Sequence, residues 1–258
     1  MQAKKEVKEV HKRSLFIAVF IALLFLLSNS AFPFVIFEQN FECNSNCNCT
    51  PSDLGWQGAT SALSIVSTPD PSAPAYGDCS MKYTDNNSHN GYSPYHTFAP
   101  QTGLLKVSMD LRKDWGDNYM IYIVGGDNNP SNYGANIYMG RKFSSESGDP
   151  KMLAYFDNTY HNLEAFIYDT WYHVDFIINI PTNTYDIYID RELKASNAHF
   201  RGYGTVTSLR YIKFGYTSWG EVSGYIDNIK ISVIPEPASI LLLLSGLLGI
   251  ATIIKKRI

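Results

Sequence analysis

The stretch Trp171-Tyr-His-Val-Asp-Phe-Ile-Ile-Asn-Ile-Pro-Thr-Asn-Thr-Tyr-Asp-Ile-Tyr-Ile-Asp190 decides the fold class. In its first half Tyr172, Val174, Phe176, Ile178 and Ile180 alternate with His173, Asp175 and Asn179. In its second half Tyr185, Ile187 and Ile189 alternate with Asp186, Tyr188 and Asp190. Successive side chains leave a strand on opposite sides, so an apolar period of two marks a strand with one face buried. Pro181-Thr182-Asn183 separates the two runs, and the whole reads as one long hairpin.

The same period extends outward. Leu105, Val107, Met109 and Leu111 alternate with Lys106, Ser108 and Asp110. Further strands are predicted at 58–66, 79–85, 118–124, 134–141, 151–156, 207–216 and 223–233. Turn signals such as Gly125-Gly126-Asp127-Asn128-Asn129-Pro130 and Ser147-Gly148-Asp149-Pro150 punctuate them. Ten or more strands with no helix, over roughly 200 residues, predict an all-β domain of two packed sheets. No internal repeat suggests a propeller or solenoid.

After the hairpin come Leu209-Arg-Tyr-Ile-Lys-Phe-Gly215 and Gly224-Tyr-Ile-Asp-Asn-Ile-Lys-Ile231. A Trp-led strand, a Tyr-rich strand ending in Asp190, a strand closing on Phe-Gly and a final Tyr-Ile-Asp-Asn-Ile strand together resemble the concanavalin A-like or laminin-G-like jelly roll. The likeness is clearest over residues 171–233. It implies a two-sheet antiparallel jelly-roll sandwich over 58–233, entered through a Cys-containing segment at 32–57. The glycine usual after the hairpin aspartate is Arg191 here, so a different turn is expected.

Charge sorts by position. The chain carries −3 overall, with 17% charged residues. Residues 1–31 hold +3 and residues 235–258 hold +2, which leaves −8 for residues 32–234. Such a middle argues against nucleic-acid binding, which needs a basic surface. At the N-terminus Lys4 to Arg13 precede the apolar run Leu15–Leu27, the order of a signal peptide or signal anchor at 1–31. At the C-terminus Pro235-Glu236-Pro237 leads into the apolar run Ile240–Ile254 and then Lys255-Lys256-Arg257. The prolines end a strand and start a helix, and the terminal cations place residues 32–234 outside the cytoplasm. This three-part order resembles the PEP-CTERM sorting signal, here 234–258. The resemblance implies a transmembrane helix, recognition by an exosortase, and an inner-membrane-anchored precursor. Its mature product would reach the periplasm, cell surface or polysaccharide matrix of a Gram-negative bacterium.

Cys43, Cys47, Cys49 and Cys79 form an even set in the exported region and predict two disulfides, one of them to Cys79. Three connectivities are open, and an all-cysteine zinc site is the alternative. By its period Asp227 shares an apolar face with Tyr225, Ile229, Ile231 and Val233, where a carboxylate needs a partner. Phe41-Glu42 followed by Gly55-Trp56 is similar to the opening of many secreted β-sandwiches. That likeness implies neighbouring first and last strands, which would bring Glu42 and Asp227 to one structural Ca²⁺. The alternative is that Asp227 accepts backbone amides at a strand end. No other cofactor is expected.

Catalysis has little support in the sequence. The paired-carboxylate strand of a glycosidase is missing, Tyr211-Ile-Lys213-Phe-Gly-Tyr216 lacks the partner motifs of a lyase, and His173 reads as a satisfied surface histidine. Tyr and Trp rings stack on pyranoses, and Tyr188, Tyr216 and Trp219 are candidate ligand contacts on polar faces or loops. Tyr138 belongs to the same class. A non-enzymatic glycan or matrix module is therefore expected, with extracellular polysaccharide as partner. A glycosidase or lyase and a purely structural surface protein are the alternatives.

Overall fold

In the computed structural model the two apolar runs of residues 171–190 become paired antiparallel strands in the register Val174 to Ile189, Phe176 to Ile187 and Ile178 to Tyr185. Residues 33–43, 47–68, 78–85, 94–116, 120–126, 133–141, 151–201, 206–216 and 222–235 are described by the structure. The compact unit is Val35–Val233. The signal segment 1–31 and residues 236–258 of the sorting segment, with Glu236 and Pro237, lie outside the described residues. Among the described residues no helix is long and apolar enough to cross a membrane.

The strands are, in chain order, β1 (Phe34–Gln39), β2 (Leu63–Ser67), β3 (Cys79–Asp85), β4 (Tyr95–Gln101), β5 (Leu104–Trp115), β6 (Met120–Gly125) and β7 (Tyr133–Arg141). They continue as β8 (Lys151–Phe156), β9 (Tyr160–Ala165), β10 (Trp171–Asn179), β11 (Thr184–Ile189), β12 (Glu192–His199), β13 (Leu209–Tyr216) and β14 (Val222–Ile234). Eight strands form one sheet in the order β12-β11-β10-β5-β14-β3-β2, with β1 also paired to β14. Six form the other, in the order β4-β13-β6-β7-β8-β9. All-β, two-sheet and antiparallel, this is the expected sandwich.

Its core follows from the period. Strand β10 lies between β11 and β5, and Phe176 stands opposite both Ile187 and Val107. All three are fully buried, as are Val174, Met109, Ile178 and Leu105 around them. Each such side chain contributes about 1.5–3 kcal/mol by leaving water. Aromatic contacts bind the sheets together. Tyr155 of β8 meets Tyr185 of β11 edge-on at 6.1 Å, and Trp56 stacks on Phe214 of β13 at 4.8 Å.

Two boundaries differ from expectation. Residues 58–62 are a bend and a 3-10 turn, so β2 starts at Leu63. The 32–57 segment is part of the sandwich rather than an approach to it: β1 pairs with β14, and Phe41 and Trp56 are buried in the core. Cys43 bonds Cys49 and Cys47 bonds Cys79, so the expected pair of disulfides forms and no zinc site is built. The Cys47–Cys79 link closes the longer loop, and the Glu42 carboxylate accepts the Cys79 N–H at 2.8 Å beside it. Replacing Cys47 and Cys79 by Ser is expected to cost about 3 kcal/mol, read as a lower urea midpoint with a somewhat steeper slope, because the freed unfolded chain exposes more surface.

Candidate functional site

The outward face of β5, β10 and β14 carries polar residues in register. His173 stands opposite Asp110, Asp175 opposite Ser108 and Trp171 opposite Arg112. Asp110 is 2% exposed. A buried carboxylate requires partners. His173 Nδ1 lies 2.6 Å from Asp110 Oδ1, and the Asn228 side-chain amide donates to Asp110 Oδ2 at 2.8 Å. On its other side the imidazole Nε2 is 3.4 Å from Asp175 Oδ1. Asp175 also accepts from Ser108 Oγ and from Lys106 Nζ, at 2.5 and 2.9 Å. Hydrogen bonds to Asp110 and then Asp175 raise the His173 pKa to about 9, against the opposing effect of burial. Burial pushes the Asp175 carboxyl up, but His173, Ser108 and Lys106 together hold it well below the usual carboxylate range. His173 is thus an imidazolium clamped between two carboxylates. It is more than a satisfied surface histidine.

The β11–β12 turn stands at one end of this row. Asp190 and Arg191 have φ of 49° and 71°. Two positive φ values are what a tight two-residue hairpin turn demands, so the turn is the usual kind despite the missing glycine. An arginine in that region costs about 1–2 kcal/mol relative to glycine. Asp190 extends the ladder: its N–H donates to the His173 carbonyl, and its Oδ1 accepts the His173 N–H at 2.9 Å.

Strand β14 corrects the expected face of Asp227. Asn228 sits at φ 48°, which breaks the alternation. Tyr225 faces outward, 6.2 Å from Trp171 and under the Arg112 guanidinium, whereas Ile226, Ile229 and Ile231 enter the core. Asp227 is fully buried. Its Oδ1 accepts the Asn228 N–H at 2.7 Å, and its Oδ2 has no partner among the described residues. Burial, and then the charges of Asp110 and Glu42, raise its pKa to about 7.

These elements enclose a groove of about 600 Å³. Asp110, Ser108 and His173 form its floor, with Asp190 and Arg191 at one end and Asn228, Lys230 and the β1 end at Glu38–Asn40 at the other. It runs across the strands from the β11–β12 turn to β1, about 19 Å at roughly 4.8 Å per strand. A volume of this size suits a small ligand.

The structure distributes the predicted residues unevenly. Tyr188 is on the same outward face, opposite Asp175, one strand from the groove floor. Tyr216 ends β13 in the other sheet, and Trp219 lies outside the described residues, so the three do not form one site. Tyr138 is fully buried, packed with Ile121, Ile123 and Tyr211. Glu42 and Asp227 come close enough for one charge to shift the other. Among the described residues no group of three His, Cys, Asp or Glu is placed to hold a metal ion. Pro235 follows β14 directly. Asp110, Asn228 and Arg191 are among the site residues that the sequence alone does not mark as a site, as are Ser108, Asp175 and Lys230. Only Arg191 left a trace, as a departure from glycine.

No protein-family model matches the chain, and no curated protein matches it in sequence. Among solved structures it is similar to a sialidase, with a TM-score of 0.53 and 16% identity over 77% of this chain and 18% of that one. It is also similar to the catalytic domain of the glycoside hydrolase family 131 protein from Coprinopsis cinerea (TM-score 0.48, 14% identity, 79% and 96% of the two chains). Carbohydrate binding module CBM66 from Bacillus subtilis is a third (0.44, 10%, 69% and 96%). The chain spans under a fifth of the sialidase's length, and what the likeness shows is the shared jelly-roll fold.

The folded pKa of His173 lies above its unfolded value of 6.5, so the clamp's contribution is full below pH 6.5 and fades as pH rises through about 9. An imidazole resonance titrating near 9 is the expected NMR signature. His173→Ala is expected to lose about 1–3 kcal/mol at pH 7, because Asp110 keeps its charge without its cation. The same variant should also flatten the fall in melting temperature between pH 7 and 10.

Proposed function

We propose that this chain is an exported surface or matrix protein whose jelly-roll domain binds glycan at the groove over β5, β10 and β14, without cleaving it. The observation that carries the reading is the fixed polar floor, in which Asp110, His173, Asp175 and Ser108 hold one another in place. Side chains immobilised in advance can meet sugar hydroxyls at little further entropic cost. Asn40, Gln39, Asn228 and Lys230 add amide and ammonium donors around the floor. Catalysis would need an acid or base with freedom to exchange its proton near the working pH. His173 is already protonated there, Asp110 and Asp175 are engaged, and Asp227, whose carboxyl is raised to about 7, does not line the groove. The printed roles of the sialidase, hydrolase and binding module are compatible with a glycan ligand. Export fits the two disulfides, which persist in oxidising compartments. In this reading Pro235-Glu236-Pro237 and the following apolar run form the signal that an exosortase processes at the inner membrane.

Calcium is a second element of the proposal. The orphaned Asp227 Oδ2 is an oxygen that a hard cation would satisfy, and Glu42 is the nearby carboxylate. Asp227 and Glu42 would hold a structural ion at the sandwich edge.

Affinity electrophoresis of the full chain in gels containing bacterial exopolysaccharides tests the main reading. Retardation is expected, with roughly tenfold weaker binding when Gln39 and Asn40 are both replaced by Ala. Release of reducing ends or unsaturated uronates from the same polymers would overturn the non-catalytic assignment. For Asp227 the folded pKa exceeds the unfolded 3.8, so its contribution is full below pH 3.8 and is lost as pH rises through about 7. Without calcium, Asp227→Asn should therefore raise the melting temperature at pH 8 and leave it little changed near pH 4. Added Ca²⁺ should stabilise the parent chain at pH 8 and not the variant.

A further inference from the structure

The groove contains an anomaly that glycan binding in general does not explain. Three residues with positive φ line it: Asp190, Arg191 and Asn228. Aspartate and asparagine tolerate that region because their short side chains bond the local backbone. Arginine has no such compensation, and the position after a hairpin aspartate suits glycine best. Strain kept at a ligand-facing position points toward a role for the side chain that bears it.

The ion pairs around the groove narrow that role. Lys230 Nζ is 3.1 Å from Glu38 Oε1, and His173 is clamped by Asp110 and Asp175. Asp190 directs Oδ1 at the His173 amide. Among the described residues the Arg191 guanidinium forms no ion pair or hydrogen bond, although it lines the groove. Its neighbour Asp190 turns its carboxylate to the His173 amide instead, so of the groove cations Arg191 is the one that forms no ion pair. Its planar fork of donors matches a planar carboxylate through two parallel hydrogen bonds. Groove charge is balanced locally, with Glu38, Asp110 and Asp190 set against Lys230, His173 and Arg191. An anionic group approaching the β11–β12 end meets a guanidinium that forms no ion pair, whereas at the other end Lys230 is already paired with Glu38.

We propose that Arg191 anchors the carboxylate of an acidic sugar, so that the groove selects uronate-containing glycans over neutral ones. This rests on the groove being the glycan site. The sugar ring lies toward β14, where Asn228 and Asn40 meet its hydroxyls, and its acid group points to the hairpin turn.

The test is titration calorimetry of the full chain with four probes: an oligouronate, the same oligomer with its carboxyls reduced to alcohols, a sulfated neutral oligomer, and a neutral glucan oligomer. The parent chain should bind the oligouronate about 10- to 100-fold tighter than its reduced form. Arg191→Gly should remove that preference, bringing the oligouronate affinity down to that of the reduced form. Its melting temperature should equal or exceed the parent's, because the turn relaxes, so the loss cannot be ascribed to unfolding. Arg191→Lys keeps the charge without the fork and should retain part of the preference. Equal binding of the acid and reduced oligomers, undiminished uronate binding by Arg191→Gly, or binding of the sulfated probe alone would each overturn the proposal while the groove stays a glycan site. Binding of none of the four by the parent chain would overturn the glycan reading itself.

Discussion

Everything on the outward face of the large sheet depends on one buried charge, the carboxylate of Asp110. A carboxylate closed off from water must be matched, and the partners come from two flanking strands: His173 from β10 and Asn228 from β14. Once His173 is charged, its far nitrogen draws in Asp175, which in turn orders Ser108 and Lys106. The network crosses three strands through side chains whose positions are fixed by backbone register. The same charge reaches Asp227, where it adds to burial in keeping that carboxyl protonated near neutrality. Asp110 is thus the main cause of the raised His173 pKa and a lesser one, after burial, at Asp227.

A floor built this way is held in place by its own hydrogen bonds, with the imidazolium set between two carboxylates. The rim is more open, with the Lys230–Glu38 pair exposed to solvent. That division resembles the general design of a recognition site, with positioned groups supported by a second layer of hydrogen bonds.

How much of this was legible in the sequence follows from which contacts are local. The inward sets of β10 and β11 could be read directly, because a strand packed on one face must alternate, and every one of those positions is buried. Strands β1, β4, β9 and β12 escaped, and three of these are sheet edges while β1 lies off the main path. Exposure on both faces there erases the period. The face of Asp227 was misread because a single left-handed residue, Asn228, resets the alternation, and no pattern announces it. Arg191 stands where a glycine is usual, and both turn residues still take the positive φ of a two-residue hairpin, with the strain in the Arg191 backbone. The clamp was out of reach. His173 lies 63 residues from Asp110 and Asn228 lies 118 away, and only the pairing of strands far apart in the chain joins them.

The charge distribution gives the groove its final constraint. Residues 32–234 carry −8, so at low ionic strength an acidic polymer would meet net repulsion from the domain as a whole. At physiological salt the field of distant charges is damped within about 8 Å. What a ligand then senses is the groove itself, where three carboxylates face three cations. Recognition of an anion in such a setting must come from contact with Arg191, since long-range attraction is absent. An acidic domain and an acidic ligand are compatible on these terms, and the mismatch guards the groove against polyanions that cannot place a carboxylate at the hairpin turn.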